Sequence, residues 1–345
     1  MATPIEHDGV RQMLKHIWEL PSQLQYCLEQ DMETFGVING VKNVVVTGMG
    51  GSAIGGDVLR CCMERVSTVP VMVNRDYRLP SFVGRDSLVM AVSYSGNTEE
   101  TLESFEDGCG RGAKMVAVTT GGELETMAKD RGVPLVKIPS GLPPRAALGY
   151  LFAPMALLIE KWGLARGFTP GIRETIDLLR EMREELSSED ENLARNLARE
   201  LKDRIPVIWT AGSFLEVTGI RWKGQINENA KAPAYCNRFP ELNHNEFTGF
   251  EGPVELTKKI RVVVLTDRDL SQRMINRIRS TVDILRDRVD GFSTVTARGE
   301  SDVARLFSLM YVADFTSVYL AASYGVDPVP VTLIEELKSR LKAVS

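Results

Sequence analysis

Histidine is scarce in this chain of 345 residues: there are three, at positions 7, 16 and 244. No H-x-H or H-E-x-x-H pair exists, and the five cysteines (27, 61, 62, 109 and 236) include no C-x-x-C pair. Those are spacings that hold zinc and related metals, so neither a metal nor another cofactor is expected. An odd cysteine count with two adjacent residues argues against a disulfide framework and for reduced thiols in a cytoplasmic protein. No G-K-[ST] occurs, which excludes a Walker A loop. Basic residues form no long tract, the net charge is −5 and the pI is near 5.5, so nucleic acid and anionic membrane are not expected partners. No membrane span is expected, since no run approaches the ~18–20 apolar residues that one needs. The opening "MATPIEHDGVRQMLKHIWEL" interleaves charge with apolar positions, unlike a signal peptide. An anionic ligand would therefore be held by local geometry and not by a global field.

What is present is a repeating rhythm. The first forty residues read as helical, with Ile17, Leu20, Leu24 and Leu28 on one stripe. Then "NVVVTGMGGSAIGGDVLRCCMERV" reads as strand, glycine-rich turn and helix. "VPVMVNRDY" adds a short strand, "SLVMAVSYSGNTEETLESF" repeats strand, turn and helix, and "AKMVAVTTGGELETMAKD" repeats it again before "VPLVKIP". Unbroken apolar strands alternating with helices predict a parallel sheet covered on both faces. A charged helical stretch from Thr169 to about Arg204 follows, and the pattern restarts. "IPVIWTAGSFLEVTGIRWKGQINENAK" echoes "NVVVTGMGGSAIGGDVLRCCMERV", "KIRVVVLTDRDLSQRMINRIRS" echoes "SLVMAVSYSGNTEETLESF", and "FSTVTARGESDVARLFSLMYVADF" echoes "AKMVAVTTGGELETMAKD". The expected architecture is two tandem α/β/α sandwich domains with parallel sheets, residues 1–163 and 164–345, closed by an amphipathic C-terminal helix after Pro328 and Pro330.

In such sheets ligands sit beyond the carboxyl ends of the strands. Two turns of the first unit lie there. "TGMGGSAIGGD" fits a dinucleotide G-x-G-x-x-G only loosely, through Gly48, Gly50 and Ala53, with Asp76 at the end of the second strand. "SYSGNTEET" offers more. Asn97 with Glu100 resembles a capping box, but capping needs one side chain, and here Ser93, Ser95 and Thr98 all present hydroxyls around one helix start. Ser52 and the close-approach glycine Gly51 sit at the neighbouring turn. Four hydroxyls beside two helix N-termini suit a phosphomonoester, whose oxygens need several donors. Glu99 and Glu100 oppose that reading unless their side chains point along the helix.

"GMGGSAIGGD", "SYSGNTEET" and "PPRAALGY" resemble the sugar-isomerase (SIS) fold. With "NENAKAPAYCNRFPELNHNEFTGFE" and "GVDPVPVTLIEELKSRL", nearly the whole chain resembles the bifunctional phosphoglucose/phosphomannose isomerases. The resemblance implies a metal-free aldose–ketose isomerase acting on glucose, fructose and mannose 6-phosphates through an enediol, in a homodimer. Such a reaction needs a base, a ring-opening acid and positive charge near the enediolate. By the same resemblance Glu228 is the base, and Arg145 stabilises the enediolate or orients the base. Lys338 lies near the ring oxygen, and His244 assists ring opening across the subunit interface. The bland alternatives are a solvated helix carboxylate for Glu228, a solvated lysine for Lys338 beside Lys342, and surface or packing roles for His7 and His16. Glu241 and Glu246 are weaker candidates for the base. Asn229 and Lys231 are candidates for orienting Glu228, and Thr332 for setting C2 specificity. The other functional class is a sugar-phosphate-binding SIS regulator without catalysis, which would ordinarily carry a DNA-binding module that this chain does not show.

Overall fold

The valines of "NVVVT" and the run "SLVMAVS" lack polar alternation, as strands buried on both faces require. The computed structural model describes residues 8–343, apart from the side chain of Lys342, and places these runs at the centre of the first of two parallel sheets. Helices α1 (Asp8–Trp18) and α2 (Leu20–Leu28) precede β1 (Asn43–Thr47), α3 (Gly50–Val66), β2 (Val71–Asn74), β3 (Ser87–Ser93), α4 (Glu99–Gly110), β4 (Lys114–Thr119), α5 (Gly122–Asp130) and β5 (Leu135–Lys137). The strand order is β2-β1-β3-β4-β5, all parallel. From β1 the chain first turns to β2 and then returns to the other side as β3. The turns after β1 and β3 therefore diverge and leave a crevice between them.

Helices α6 (Leu148–Lys161) and α7 (Phe168–Ser187) lead out of this unit, and α8 (Leu193–Leu201) leads into the next. The second sheet is built from β6 (Ile205–Ala211), α9 (Glu216–Gln225), β7 (Tyr235–Phe239), α10 (Glu246–Gly249), α11 (Val254–Thr257), β8 (Ile260–Thr266), α12 (Gln272–Leu285) and β9 (Gly291–Thr296). Its order is β7-β6-β8-β9, again all parallel. The internal echo read in the sequence is thus a repeat of strand order as well as of element order. Helix α13 (Asp302–Tyr324) and the terminal α14 (Thr332–Lys342) complete the fold.

One continuous apolar core joins the two sheets through α6, α7 and α13. Helix α13 corrects the sequence reading on membrane spans. It is long and apolar enough to cross a bilayer, yet Val303 through Ala321 are all buried inside the protein. Two helical readings are refined as well. The N-terminal stripe is carried by two helices that part at Glu19, ahead of Pro21, with Ile17, Leu20 and Leu24 buried. The charged stretch divides into α7 and α8, with Asn192 capping α8 through Arg195 N–H.

Candidate active site

The serine-rich turn after β3 is folded by its own hydroxyls. Ser93 Oγ lies 3.0 Å from Thr98 Oγ1 and accepts from Gly96 N–H at 3.1 Å, while Ser95 Oγ accepts from Asn97 N–H at 3.3 Å. Gly96 has φ +73°, and a Cβ there would lie 1.8 Å from the Gly121 carbonyl oxygen, so only glycine fits. Across the crevice, Ser52 Oγ accepts from Tyr94 N–H at 3.3 Å and ties the two turns together. Ser52 and Ser93 are buried, Thr98 is half-buried and Ser95 is exposed. The capping box read from Asn97 and Glu100 is not formed. The cap of α4 is Thr98, which makes no side-chain cap bond, and Asn97 Oδ1 instead accepts from Glu123 N–H at the start of α5. Helix α3 likewise begins at Met49 without a side-chain cap. Two helix N-termini therefore meet at the hydroxyl cluster, an arrangement that favours an anion. The charges of Glu100 and Glu99 bear on Tyr77 and hold its phenol above the ordinary range.

Gly51 joins this cradle to a second cluster. A Cβ at Gly51 would sit 2.6 Å from the Pro144 carbonyl oxygen. The absence of a side chain lets α3 rest directly on the turn Pro144–Ala146, which carries Arg145. The guanidinium is buried, with its side chain 5% exposed. Its Nε donates to Asn229 Oδ1 at 2.7 Å, Nη2 to the carbonyls of Pro328 (2.5 Å) and Val329 (3.0 Å), and Nη1 lies 3.4 Å from Glu228 Oε2. Burial lowers the Arg145 pKa, opposed by Glu228 and assisted by the nearby Arg221. Glu228 lies on a π-turn (Ile226–Ala230) that continues α9, a distortion common at functional positions. Its side chain is one-third exposed. It lines a cavity of about 180 Å³ with Gly50, Gly51, Arg75, Arg145 and Lys223, and a groove of about 560 Å³ with Lys231, Pro233, Thr332 and Leu333.

The framework behind this pair was not visible in the sequence. Asp314 on α13 is buried and accepts from Arg221 Nη2 at 2.7 Å and Gln225 Nε2 at 2.6 Å, while Arg221 also donates to the Arg145 carbonyl at 3.0 Å. Asn229 Nδ2 donates to Ser317 Oγ on the same helix at 2.9 Å. Burial raises the Asp314 carboxyl, with Arg221 opposing. Removing one partner of a buried ion pair strands the other. Arg221→Met is therefore expected to cost roughly 3–5 kcal/mol of stability, to be read from the midpoint of urea unfolding; a loss under 1 kcal/mol would refute this account of the framework.

Comparison with known proteins follows the same division. Residues 38–131 match the profile described as "SIS domain", and residues 190–341 match "Bacterial phospho-glucose isomerase C-terminal SIS domain". A bifunctional phosphoglucose/phosphomannose isomerase of Caldicellulosiruptor bescii is 42% identical over 337 residues, covering 96% of this chain and 99% of the relative. One from Aquifex aeolicus is 37% identical over 316 residues, covering 87% and 91%. The chain belongs to the bifunctional phosphoglucose/phosphomannose isomerase family. The fold is shared more widely. A hypothetical protein of Thermus thermophilus superposes with a TM-score of 0.73 over 100% of this chain and 92% of its own, at 16% identity.

The remaining family-matched residues are not gathered at Glu228 within one chain. His244 is exposed on the turn Glu241–His244 after β7, whereas Glu228 lies before that strand begins. His244 lines neither the cavity nor the groove that Glu228 lines. Lys338 is exposed on α14, whose first turn borders the groove at Glu228 through Thr332 and Leu333. Glu246, one of the alternative bases, is engaged by Trp209 Nε1 at 2.7 Å and Asn237 Nδ2 at 2.6 Å, and so braces the His244 turn. Glu241 accepts from Asn245 Nδ2 at 2.9 Å. His16 is half-buried in α1, and burial, Lys15 and Arg145 hold its imidazole below the ordinary range. His7 lies outside the described residues. Among the described residues no group of three His, Cys, Asp or Glu could hold a metal ion.

The second unit's equivalent crevice is built differently. Where β3 ends in hydroxyls, β8 runs into Asp267 and Asp269. The buried Arg305 fills the space, 3.3 Å from Asp267, bonded to Asp269 and Asp302, and with its guanidinium carbon 5.3 Å from the centre of the Phe214 ring. The repeat therefore preserves the topology while closing the second crevice with an internal ion cluster.

Proposed function

We propose that this protein interconverts fructose 6-phosphate with glucose 6-phosphate and with mannose 6-phosphate, as a homodimer whose sites are completed by the partner subunit's His244. The observation that carries the reading is the buried Arg145 beside the part-exposed Glu228, at a cavity that also opens on Gly50 and Gly51. In this reading Ser52, Ser93, Ser95 and Thr98, with the α3 and α4 N-termini, hold the phosphate and fix the sugar's position. The His244 side chain and Lys338 open the ring. The Glu228 carboxylate removes the C2 proton of the open-chain aldose, the C–H electron pair forms the C1–C2 double bond, and the carbonyl oxygen takes the negative charge, which Arg145 stabilises. O1 is protonated, the O2 hydroxyl gives up its proton as C2=O forms, and the Glu228 acid returns its proton to C1. Glucose and mannose 6-phosphates differ only at C2, which is planar in the enediol, so one intermediate serves both.

The second copy is supported by α14. Residues Thr332–Leu341 are all exposed, and Leu333, Ile334, Leu337 and Leu341 form an apolar stripe along the helix. Five unpaired cysteines support a cytoplasmic setting.

The test is a coupled assay for glucose 6-phosphate and for mannose 6-phosphate formed from fructose 6-phosphate, with EDTA present. Turnover to both products is expected. Saturable binding of the sugar phosphate without turnover would favour the regulator instead.

A further inference from the structure

We propose that Lys231 is a positioning residue for this site, clamping the turn that carries Glu228 to the strap Pro328–Pro330 and so fixing where α14 and Lys338 begin. This rests on the isomerase reading above.

Lys231 closes the π-turn in the left-handed backbone region, with φ 56° and ψ 28°. That conformation suits glycine and disfavours an L side chain, so a lysine there needs a compensating role. Its ammonium has one. Nζ donates to the carbonyls of Glu228 at 2.5 Å, Pro330 at 2.5 Å and Pro328 at 3.3 Å. An ammonium has three donors, and three backbone carbonyls from two segments about a hundred residues apart take them. A merely solvated lysine would point away from the backbone.

The strap is gripped from the other side by Arg145, which donates to Pro328 and Val329. One cation comes from the first unit and the other from the second, and they share the Pro328 carbonyl. Asp327 Oδ1 accepts from Val329 N–H at 2.9 Å and tightens the strap internally. Beyond Val331 the chain is exposed through Leu341. The strap therefore sets the position of α14, and Lys231 links that position to the carboxylate turn.

The test is Lys231→Gly, a substitution that the backbone favours. The expected result is a kcat about 10–100-fold lower, as misplacement of reacting groups produces, with KM within about threefold and a Tm no lower than that of the natural protein. n-Butylammonium, which replaces the missing stem and charge, should restore turnover saturably. Without substrate, amide hydrogen exchange of residues 326–341 should accelerate in the variant. An unchanged kcat, a loss that follows a fall in Tm, or unaltered exchange with no rescue would each overturn the proposal. Should the natural protein turn over neither hexose phosphate, the isomerase reading fails, and the exchange measurement alone decides whether Lys231 is a clamp.

Discussion

Glu228→Gln is expected to lower kcat by about 10²–10⁴-fold while leaving KM within a few-fold, because a positioned general base is worth that much. The substitution is close to isosteric. Its amide oxygen can still face Arg145 Nη1, 3.4 Å away in the natural protein, and the π-turn is held by Asn229 and Lys231 and not by the Glu228 side chain. The proposed phosphate cradle lies on other elements, so ground-state binding should survive. The contrast between an intact KM and a collapsed kcat separates a base from a structural carboxylate. Steady-state kinetics in both directions of the fructose 6-phosphate reaction read it directly. Turnover within about tenfold of the natural enzyme would remove Glu228 from the base role. Glu246, already occupied by Trp209 and Asn237, would not be its natural replacement.

The two halves of this site differ in how far the sequence exposes them. The hydroxyl cluster was legible because it is local: Ser93, Ser95 and Thr98 fall within six residues after an apolar strand, and Gly51 and Ser52 follow another. Strand order then brings the two turns together, a consequence of parallel topology that strand and helix periodicity foretell. The same locality misled at Asn97, whose spacing to Glu100 imitates a capping box. Its carbonyl oxygen is captured by Glu123, which a reading of one helix at a time cannot see. The cluster around Arg145 and Glu228 is non-local throughout. Arg145 bonds Asn229 84 residues away and Pro328 183 residues away, and Arg221 pairs with Asp314 at a separation of 93. Its acidic and basic members look like ordinary helix charges until α13 is packed between the sheets. Glu228, Arg145, His244 and Lys338 were named by resemblance and not by pattern. The pairing of the first two is visible in the fold, whereas the last two stand exposed, apart from it.

The proposed dimer gives the second large effect. Mixing inactive Glu228→Gln protein with inactive His244→Ala protein, after subunits are allowed to exchange, is expected to recover about a quarter of the natural activity. In a two-fold symmetric dimer each subunit lends the same surface to the other. A mixed dimer then holds one site in which both substitutions meet and one in which neither falls. Random exchange of equal amounts makes half the dimers mixed, and half of their sites are intact, which is about one site in four. The expectation rests on the position of His244, which is exposed on the turn after β7 and lines neither the cavity nor the groove that Glu228 lines. A control fixes the interpretation. Arg145 and Glu228 touch within one chain, so mixing Arg145→Gln with Glu228→Gln leaves every site defective and should recover nothing. Recovery in the first mixture and not in the second would establish the shared site. No recovery in either, with subunit exchange verified by mass-tagged chains, would return the His244 side chain to a surface role and leave ring opening to groups within one subunit.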